Sequence, residues 1–113
     1  MASNAIARKI ESIQTKGAMR SADIAQIVGA RPETVSRWNQ GKAFPQRDAE
    51  KILLELEYIV DQLSDFYEPD EARLWLFSRQ KLLGGKTPAF LIHGGEIDKV
   101  ISVIDQLRDG LFL

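Results

Sequence analysis

The fold is decided by residues 21–45, which read SADIAQIVGARPETVSRWNQGKAFP. Up to Gly29 the apolar residues recur at helical spacing, and Gly29 can adopt the left-handed backbone conformation that ends a helix at low cost. Pro32 suits the first turn of a second helix, because a backbone N–H at that position has no intrahelical partner. Val35 and Trp38 then anchor the second helix to the first. The stretch therefore predicts two short helices that cross at a tight turn.

The outward side of the second helix carries polar residues of the kinds that hydrogen-bond base edges and phosphates in a major groove. The segment GARPETVSRW at residues 29–38 resembles the turn and recognition helix of the Xre/Cro-type helix-turn-helix family. Arg31 departs from the capping Ser or Thr that is usual there, but its long side chain can reach a base or a phosphate. We therefore predict an operator-DNA surface made of Arg31, Glu33, Thr34, Ser36, Arg37, Gln40 and Lys42.

The net charge of −1 conceals a division of charge along the chain. Residues 1–47 carry eight basic and three acidic side chains, a net charge of +5, whereas residues 48–113 carry seven basic and 13 acidic, a net charge of −6. Composition alone leaves chance clustering of solvated charges as an alternative. Taken at face value, the first segment is suited to a polyanion and the second to a neutral or basic partner.

The apolar pattern is helical along nearly the whole chain and contains no convincing strand, so we expect an all-α fold. A first helix is predicted to end before Gly17, and Ser21 caps the second helix. A long helix begins at Asp48, Thr87 caps a short one, and a final helix ends at Gly110. A helix-turn-helix bundle at residues 1–47 is thus followed by a long linking helix and a small helical domain within residues 48–113.

Two apolar clusters in the second segment have alternative interpretations. One is the stripe of the long helix, which either belongs to the core of the same chain or forms the contact of a homodimer; it consists of Ile52, Leu56, Val60 and Leu63. The other is the block LWLF at residues 74–77, which is more typical of core than of ligand stacking. Because helix-turn-helix proteins usually bind two half-sites, we expect a homodimer.

Three motifs of the second segment resemble the toxin-binding domain of the Xre/MbcA/ParS antitoxins: WLFS at 75–78, LLGGKTPA at 82–89 and HGGE at 93–96. Together with the helix-turn-helix, the resemblance covers residues 21–113. Family members often have a proline where Arg79 stands here. The resemblance implies a partner toxin of the RES-domain class, which destroys NAD, and inhibition by C-terminal residues that enter its active site. It points to Trp75, Lys86, Thr87, Gly110, Leu111, Phe112 and Leu113 as toxin-binding residues.

The last three residues are all apolar, although they follow a helix cap and cannot extend a helical stripe. Chain ends are usually frayed and polar unless they dock onto something. The alternative to docking on a toxin is that residues 111–113 fold back onto the core of their own chain. The residues thus agree with the family resemblance without excluding the simpler interpretation.

Nothing in the sequence predicts an enzyme, a metal site or a cofactor. The chain has no cysteine and one histidine, His93, which is more typical of a helix C-terminus than of a catalytic group. No apolar run is long enough for a membrane span, and the N-terminus lacks the apolar core of an export signal. We therefore expect a cytoplasmic protein without a catalytic site.

The sequence thus predicts an antitoxin of a type II toxin–antitoxin system, which forms a larger complex with its toxin and represses its own operon. A stand-alone repressor whose C-terminal half only dimerises is the first alternative. In a second alternative the helix-turn-helix is only a scaffold and binds no DNA.

Overall fold

The computed structural model describes residues 4–110, which are almost entirely helical. The helices are α1 (Ala5–Gly17), α2 (Ser21–Val28), α3 (Pro32–Asn39), α4 (Arg47–Leu63), α5 (Pro69–Leu76), α6 (Pro88–His93) and α7 (Ile97–Gly110), with a 3-10 helix at Lys81–Leu83. Within these described residues the only bridge between extended segments joins Gln80 and Lys86. The expectation of an all-α fold is confirmed.

The helix ends follow from local hydrogen bonding, with two differences from the predicted boundaries. Helix α1 includes Gly17 and ends at Ala18, whose φ of 49° is left-handed. Ser21 is the first residue of α2 rather than its cap; the cap position belongs to Arg20, whose backbone N–H donates to the Asp23 carboxylate at 3.0 Å. A carboxylate in the first turn of a helix satisfies a free backbone donor as well as a capping hydroxyl does.

Helix α4 lies at the centre of the fold and packs against α1, α2, α6 and α7. Gly17 allows α1 to approach α4 closely, since a Cβ atom there would lie 3.2 Å from a methyl group of Val60. One continuous core surrounds α4, and its largest fully buried side chains are Ile10, Ile13, Ile24, Ile27, Leu53, Leu56, Ile59, Leu63, Leu76, Leu91, Ile92 and Ile104.

The interpretation of the α4 stripe as a dimer contact is wrong. Leu56, Val60 and Leu63 are fully buried within the chain, and Ile52 is packed against the same core. The intrachain alternative is confirmed, because apolar side chains already covered by the other helices of one chain cannot be offered to a second.

The apolar block at residues 74–77 lies only partly in the core. Trp75 and Leu76 are buried and Phe77 is half-buried, whereas Leu74 is 69% exposed. Four consecutive residues span most of the circumference of a helix, so α5 cannot turn all of them inward.

Between residues 4 and 110, three ion pairs link the basic first segment to the acidic second one. Lys9 lies 3.6 Å from Glu57 and Lys16 lies 2.6 Å from Asp61, which fastens α1 along α4. The hydrogen bond and the negative charge of Asp61 raise the pKa of the Lys16 ammonium. The third pair joins α2 to α5. The division at residue 47 therefore marks a change in charge, while the core and these contacts run across it; two separate domains remain a prediction.

Candidate functional site

Helices α2 and α3 form the two-helix unit that the sequence predicts. Gly29 ends α2 with a φ of 81°, and its N–H donates to the carbonyl oxygen of Ala25 at 2.9 Å. Pro32 opens α3, while Val35 and Trp38 are buried against the core. These contacts fix one side of α3 and leave its opposite side facing solvent.

The predicted DNA-binding residues lie along that free side of α3 and in the connector after it. Arg31 occupies the cap position of α3 and makes no side-chain capping bond, so its guanidinium is not held by the helix it precedes. Thr34 and Ser36 are partly buried, and the Ser36 hydroxyl donates to that of Ser21 at 3.2 Å. The exposed members of the set are Arg31, Glu33, Arg37, Gln40 and Lys42.

The charge near this surface is adjusted by a residue from the acidic segment. Both oxygens of Asp23, in the first turn of α2, accept hydrogen bonds from Arg73 of α5, at 3.1 Å from Nε and 3.0 Å from Nη2. Partial burial alone would raise the pKa of Asp23, but the bonds from Arg73 and from the Arg20 backbone, with their positive charges, lower it overall. The same contact raises the pKa of Arg73. Arg73 thus neutralises the acid in the first turn of α2.

A second surface is built around the loop that precedes α6. The N–H of Gln80 donates to the Lys86 carbonyl at 3.0 Å, and the N–H of Gly85 donates back to the Gln80 carbonyl at 2.9 Å. Gly84 and Gly85 have φ values of 67° and 83°, a backbone turn that side chains with a Cβ rarely adopt. The side chain of Gln80 also donates to the carbonyl of Trp75 at 3.0 Å. These bonds hold the loop in one shape against the end of α5.

The closed loop presents apolar and basic side chains together. Leu82 at its tip is 61% exposed and Phe90 on α6 is 58% exposed. The Lys86 ammonium lies 5.8 Å from the centre of the Phe90 ring, a cation–π distance. A groove of about 480 Å³ lies between this loop and α7, lined in part by Leu82, Lys86 and Lys99. An exposed apolar group flanked by cations is typical of a protein-binding surface.

The predicted toxin-binding residues differ in their burial and lie in different parts of the structure. Lys86 belongs to the exposed loop, and Thr87 caps α6 by accepting a hydrogen bond from the Phe90 N–H at 3.0 Å. Trp75 is buried beneath the loop, so its structural role is in the core. Gly110 is exposed at the end of α7. The predicted contacts of Leu111, Phe112 and Leu113 lie outside the described residues.

Sequence reasoning missed two exposed apolar side chains of this surface, Leu82 and Phe90. The sequence contains a weak signal for Leu82, because it follows Arg79 and Lys81 and lies shortly before two glycines. This pattern is typical of a leucine at the tip of a basic loop. Phe90 lies on a six-residue helix whose apolar side is already supplied by Ala89, Leu91 and Ile92, so one bulky side chain had to remain outside.

His93 links the two surfaces directly. Its Nδ1–H donates to the carbonyl oxygen of Ile27 at 2.8 Å, and its ring lies against Gly29, where an added Cβ would come within 3.3 Å of Cε1. A histidine at the end of α6 therefore satisfies a free carbonyl at the C-terminal end of α2. The turn between α2 and α3 and the loop that precedes α6 are thus held at the two ends of one short helix.

Among residues 4–110 no group of three or more His, Cys, Asp or Glu side chains is placed to bind a metal ion. None of the helices in that part of the chain is long and apolar enough to cross a membrane.

The chain resembles antitoxins over its full length. It is 33% identical to the mycobacterial cidal antitoxin MbcA of Mycobacterium tuberculosis and of Mycobacterium bovis, over 113 residues that cover all of both chains. A probable mycobacterial cidal antitoxin of M. tuberculosis is 28% identical over 91 residues, which are 80% of this chain and 77% of that one.

The fold agrees with this relationship. A chain in the crystal structure of the M. tuberculosis MbcT–MbcA toxin–antitoxin complex matches with a TM-score of 0.85 and 34% identity, covering 97% of this chain and 99% of that one. No protein-family model matches the sequence. Because it is 33% identical to MbcA over its full length and has the same helical fold, the chain belongs to the family of mycobacterial cidal antitoxins typified by MbcA.

Proposed function

We propose that this antitoxin binds a RES-domain toxin that degrades NAD and blocks its active site. The related MbcA assembles with MbcT in a toxin–antitoxin complex. The observation that carries the proposal is the rigid loop with exposed Leu82 beside Lys86 and Phe90, in the half of the chain that resembles the toxin-binding domain. These side chains form the outer contact, while Gly110 and residues 111–113 enter the toxin.

The inhibitory step follows from the chemistry of an NAD-binding pocket. Such a pocket has apolar walls for the rings and basic or polar groups for the phosphates. The apolar side chains of residues 111–113 match these walls. Burying the three side chains gains roughly 4–9 kcal/mol before ordering costs of about 0.5–1.5 kcal/mol each.

Removal of residues 111–113 tests this step. The shortened protein should keep its helical circular dichroism and its DNA binding but no longer prevent NAD consumption by the toxin encoded beside it. Phe112→Asp should act in the same way, because it places a charge in an apolar slot. Stoichiometric inhibition by the shortened chain at unchanged affinity would contradict the tail mechanism, and the loop surface would then have to block the toxin by itself.

We further propose that α3 binds operator DNA and that the antitoxin represses its own operon. Arg31 and Arg37 are exposed on the side of α3 opposite the core. An arginine that pairs with a guanine edge contributes about 1–3 kcal/mol of discrimination. Arg31→Ala/Arg37→Ala should therefore weaken promoter binding at least several-fold in a gel shift at fixed salt, while toxin inhibition persists. Unchanged promoter affinity would support the alternative in which the helix-turn-helix is only a scaffold.

Co-purification distinguishes this function from that of a stand-alone repressor. An antitoxin retains its toxin through a salt wash, whereas a repressor whose C-terminal half only dimerises retains none. We place the function in the cytoplasm, where both the promoter and NAD are found.

A further inference from the structure

The outermost face of α4 carries a second stripe, on the side opposite the buried one. Its members follow one another at intervals of four, three, four, three and four residues: Arg47, Lys51, Leu54, Tyr58, Asp61 and Asp65. The first five lie within α4 and Asp65 lies in the turn that follows it. The spacing keeps the helical members within about 40° of one line along the helix. We call this set the outer stripe.

The centre of the outer stripe is apolar and exposed. Leu54 is 38% exposed and Tyr58 is 47% exposed, and neither belongs to the core that covers the opposite side of α4. Alternation of three and four residues is the pattern by which two helices interlock side by side. An apolar centre on a helix that has no packing need for it indicates a contact outside the chain.

The outer stripe carries positive charges at one end and negative charges at the other. Arg47 and Lys51 lie toward the N-terminal end, and neither forms an ion pair with the residues between 4 and 110. Asp61 and Asp65 lie toward the C-terminal end and already pair with Lys16 and Arg108. Both carboxylates nevertheless remain about half exposed, and a carboxylate can accept more than one donor.

These charges and the spacing select one partner, a second copy of this chain packed antiparallel. A two-fold axis midway between Leu54 and Tyr58 places each Leu54 on the Tyr58 of the second copy. The same operation places Lys51 opposite Asp61 and Arg47 opposite Asp65, at both ends of the seam. A two-fold contact must be complementary to itself in this way.

The carboxylates that flank the axis do not oppose this arrangement. Glu57 is engaged by Lys9, and one oxygen of Glu55 is buried within its own chain. We therefore propose that the antitoxin forms a homodimer through the outer stripe of α4, in the register that pairs Leu54 with Tyr58.

This arrangement also separates the two DNA-binding units by a suitable distance. With a rise of about 1.5 Å per residue, the two Arg47 residues lie roughly 27 Å apart along the seam. The connector from α3 ends at each of these positions. The separation is of the same order as the roughly 34 Å between half-sites one helical turn apart.

Light scattering on the purified full-length chain, without toxin or DNA, tests the surface. The wild-type chain should show twice its 12.7 kDa mass at tens of micromolar, and Leu54→Asp should show a single chain with at least a tenfold weaker dimer. Leu74→Asp is the matched control, an exposed leucine on α5 outside the outer stripe, and should remain a dimer. A monomeric wild type, or a Leu54→Asp variant that dimerises normally, overturns the proposal. Because the experiment contains neither toxin nor DNA, that result would not contradict the proposed toxin and operator functions.

A charge exchange tests the register, and circular dichroism must first show that each variant folds, because Asp61 also pairs with Lys16 within the chain. Lys51→Asp alone sets aspartates against aspartates, and Asp61→Lys alone sets lysines against lysines, so each variant should dimerise at least tenfold more weakly. An equimolar mixture pairs acid with base at both ends and should recover a heterodimer in the same experiment. Since mixing does not rescue a misfolded chain, recovery supports the register. A mixture of two folded variants that stays monomeric overturns it.

Discussion

Replacing Arg73 with alanine should loosen the contact between α2 and α5 by an amount that the geometry allows us to estimate. Exposed ion pairs contribute about 0.2–1 kcal/mol. This pair lies at the upper end of that range, since both Asp23 oxygens are engaged, at 3.0 and 3.1 Å, and the Asp23 side chain is only 14% exposed. Arg73 itself is 45% exposed, which limits the gain through solvent screening. We expect a coupling energy of about 1 kcal/mol, or roughly 4 °C in melting temperature.

A double-mutant cycle isolates this coupling from the other contacts of Arg73, among them its cation–π contact with Phe77 at 5.5 Å. Urea titrations of the wild type, Arg73→Ala, Asp23→Ala and the double variant give the four free energies of unfolding. Arg79→Ala is the control, because Arg79 is exposed three residues after the end of α5 and forms no ion pair within residues 4–110. Its free energy of unfolding should change by less than about 0.5 kcal/mol.

The coupling should also depend on pH in a definite direction. Folding lowers the pKa of Asp23 below its ordinary 3.8, so the folded chain binds that proton more weakly than the unfolded chain. The stabilisation from this ion pair is therefore complete above pH 3.8, and it is lost as the pH falls through the lower pKa that Asp23 has in the folded chain. A coupling energy near zero at pH 7, or one that stays constant as the pH falls well below 4, would refute the reasoning.

Three further substitutions test the packing and the helix ends by thermal and urea unfolding. Leu56→Ala should cost about 2–5 kcal/mol because it leaves a cavity in the core around α4, whereas Leu82→Ala should cost less than about 0.5 kcal/mol; equal costs would contradict the assignment of buried and exposed leucines. Gly29→Ala should cost at least about 1 kcal/mol, since φ is 81° and the new Cβ meets the His93 ring, and a neutral result would show that the turn relaxes freely. Thr87→Ala should cost about 1 kcal/mol through loss of the α6 cap, and Thr87→Ser should recover most of it if the hydroxyl is responsible.

The features that sequence reasoning predicted correctly are those set by local chemistry. Helix-forming periodicity, Pro32 in the first turn of α3, Gly29 at the end of α2 and the Thr87 cap each depend on residues within one or two turns of chain. The position of the two-helix unit α2–α3 and the all-α class follow from such signals. Local signals did not decide the N-terminal cap of α2. The sequence predicted Ser21 as the cap, but the Asp23 carboxylate accepts from the backbone there, because either residue type can satisfy the same backbone donors.

Tertiary contacts could not be predicted in the same way. Periodicity shows which residues of α4 share a side, but both the buried stripe and the outer stripe have regular spacing, and only the positions of the other helices decide which one is covered. Leu74 illustrates the same limit, since the composition of its block does not indicate which side of α5 meets the core. The contact of His93 with Ile27 joins residues 66 positions apart, for which adjacent sequence gives no signal.

The ion pairs that tie the basic segment to the acidic one have a consequence for how such antitoxins can diversify. Lys9, Lys16 and Asp23 each have their counter-charge beyond residue 47, on α4 or α5. A gene fusion that joined residues 1–47 to the second segment of a distant relative would have to preserve these three charge pairs and the shared core. Recombination at the middle of the gene is therefore disfavoured, and we expect the two segments to be inherited together.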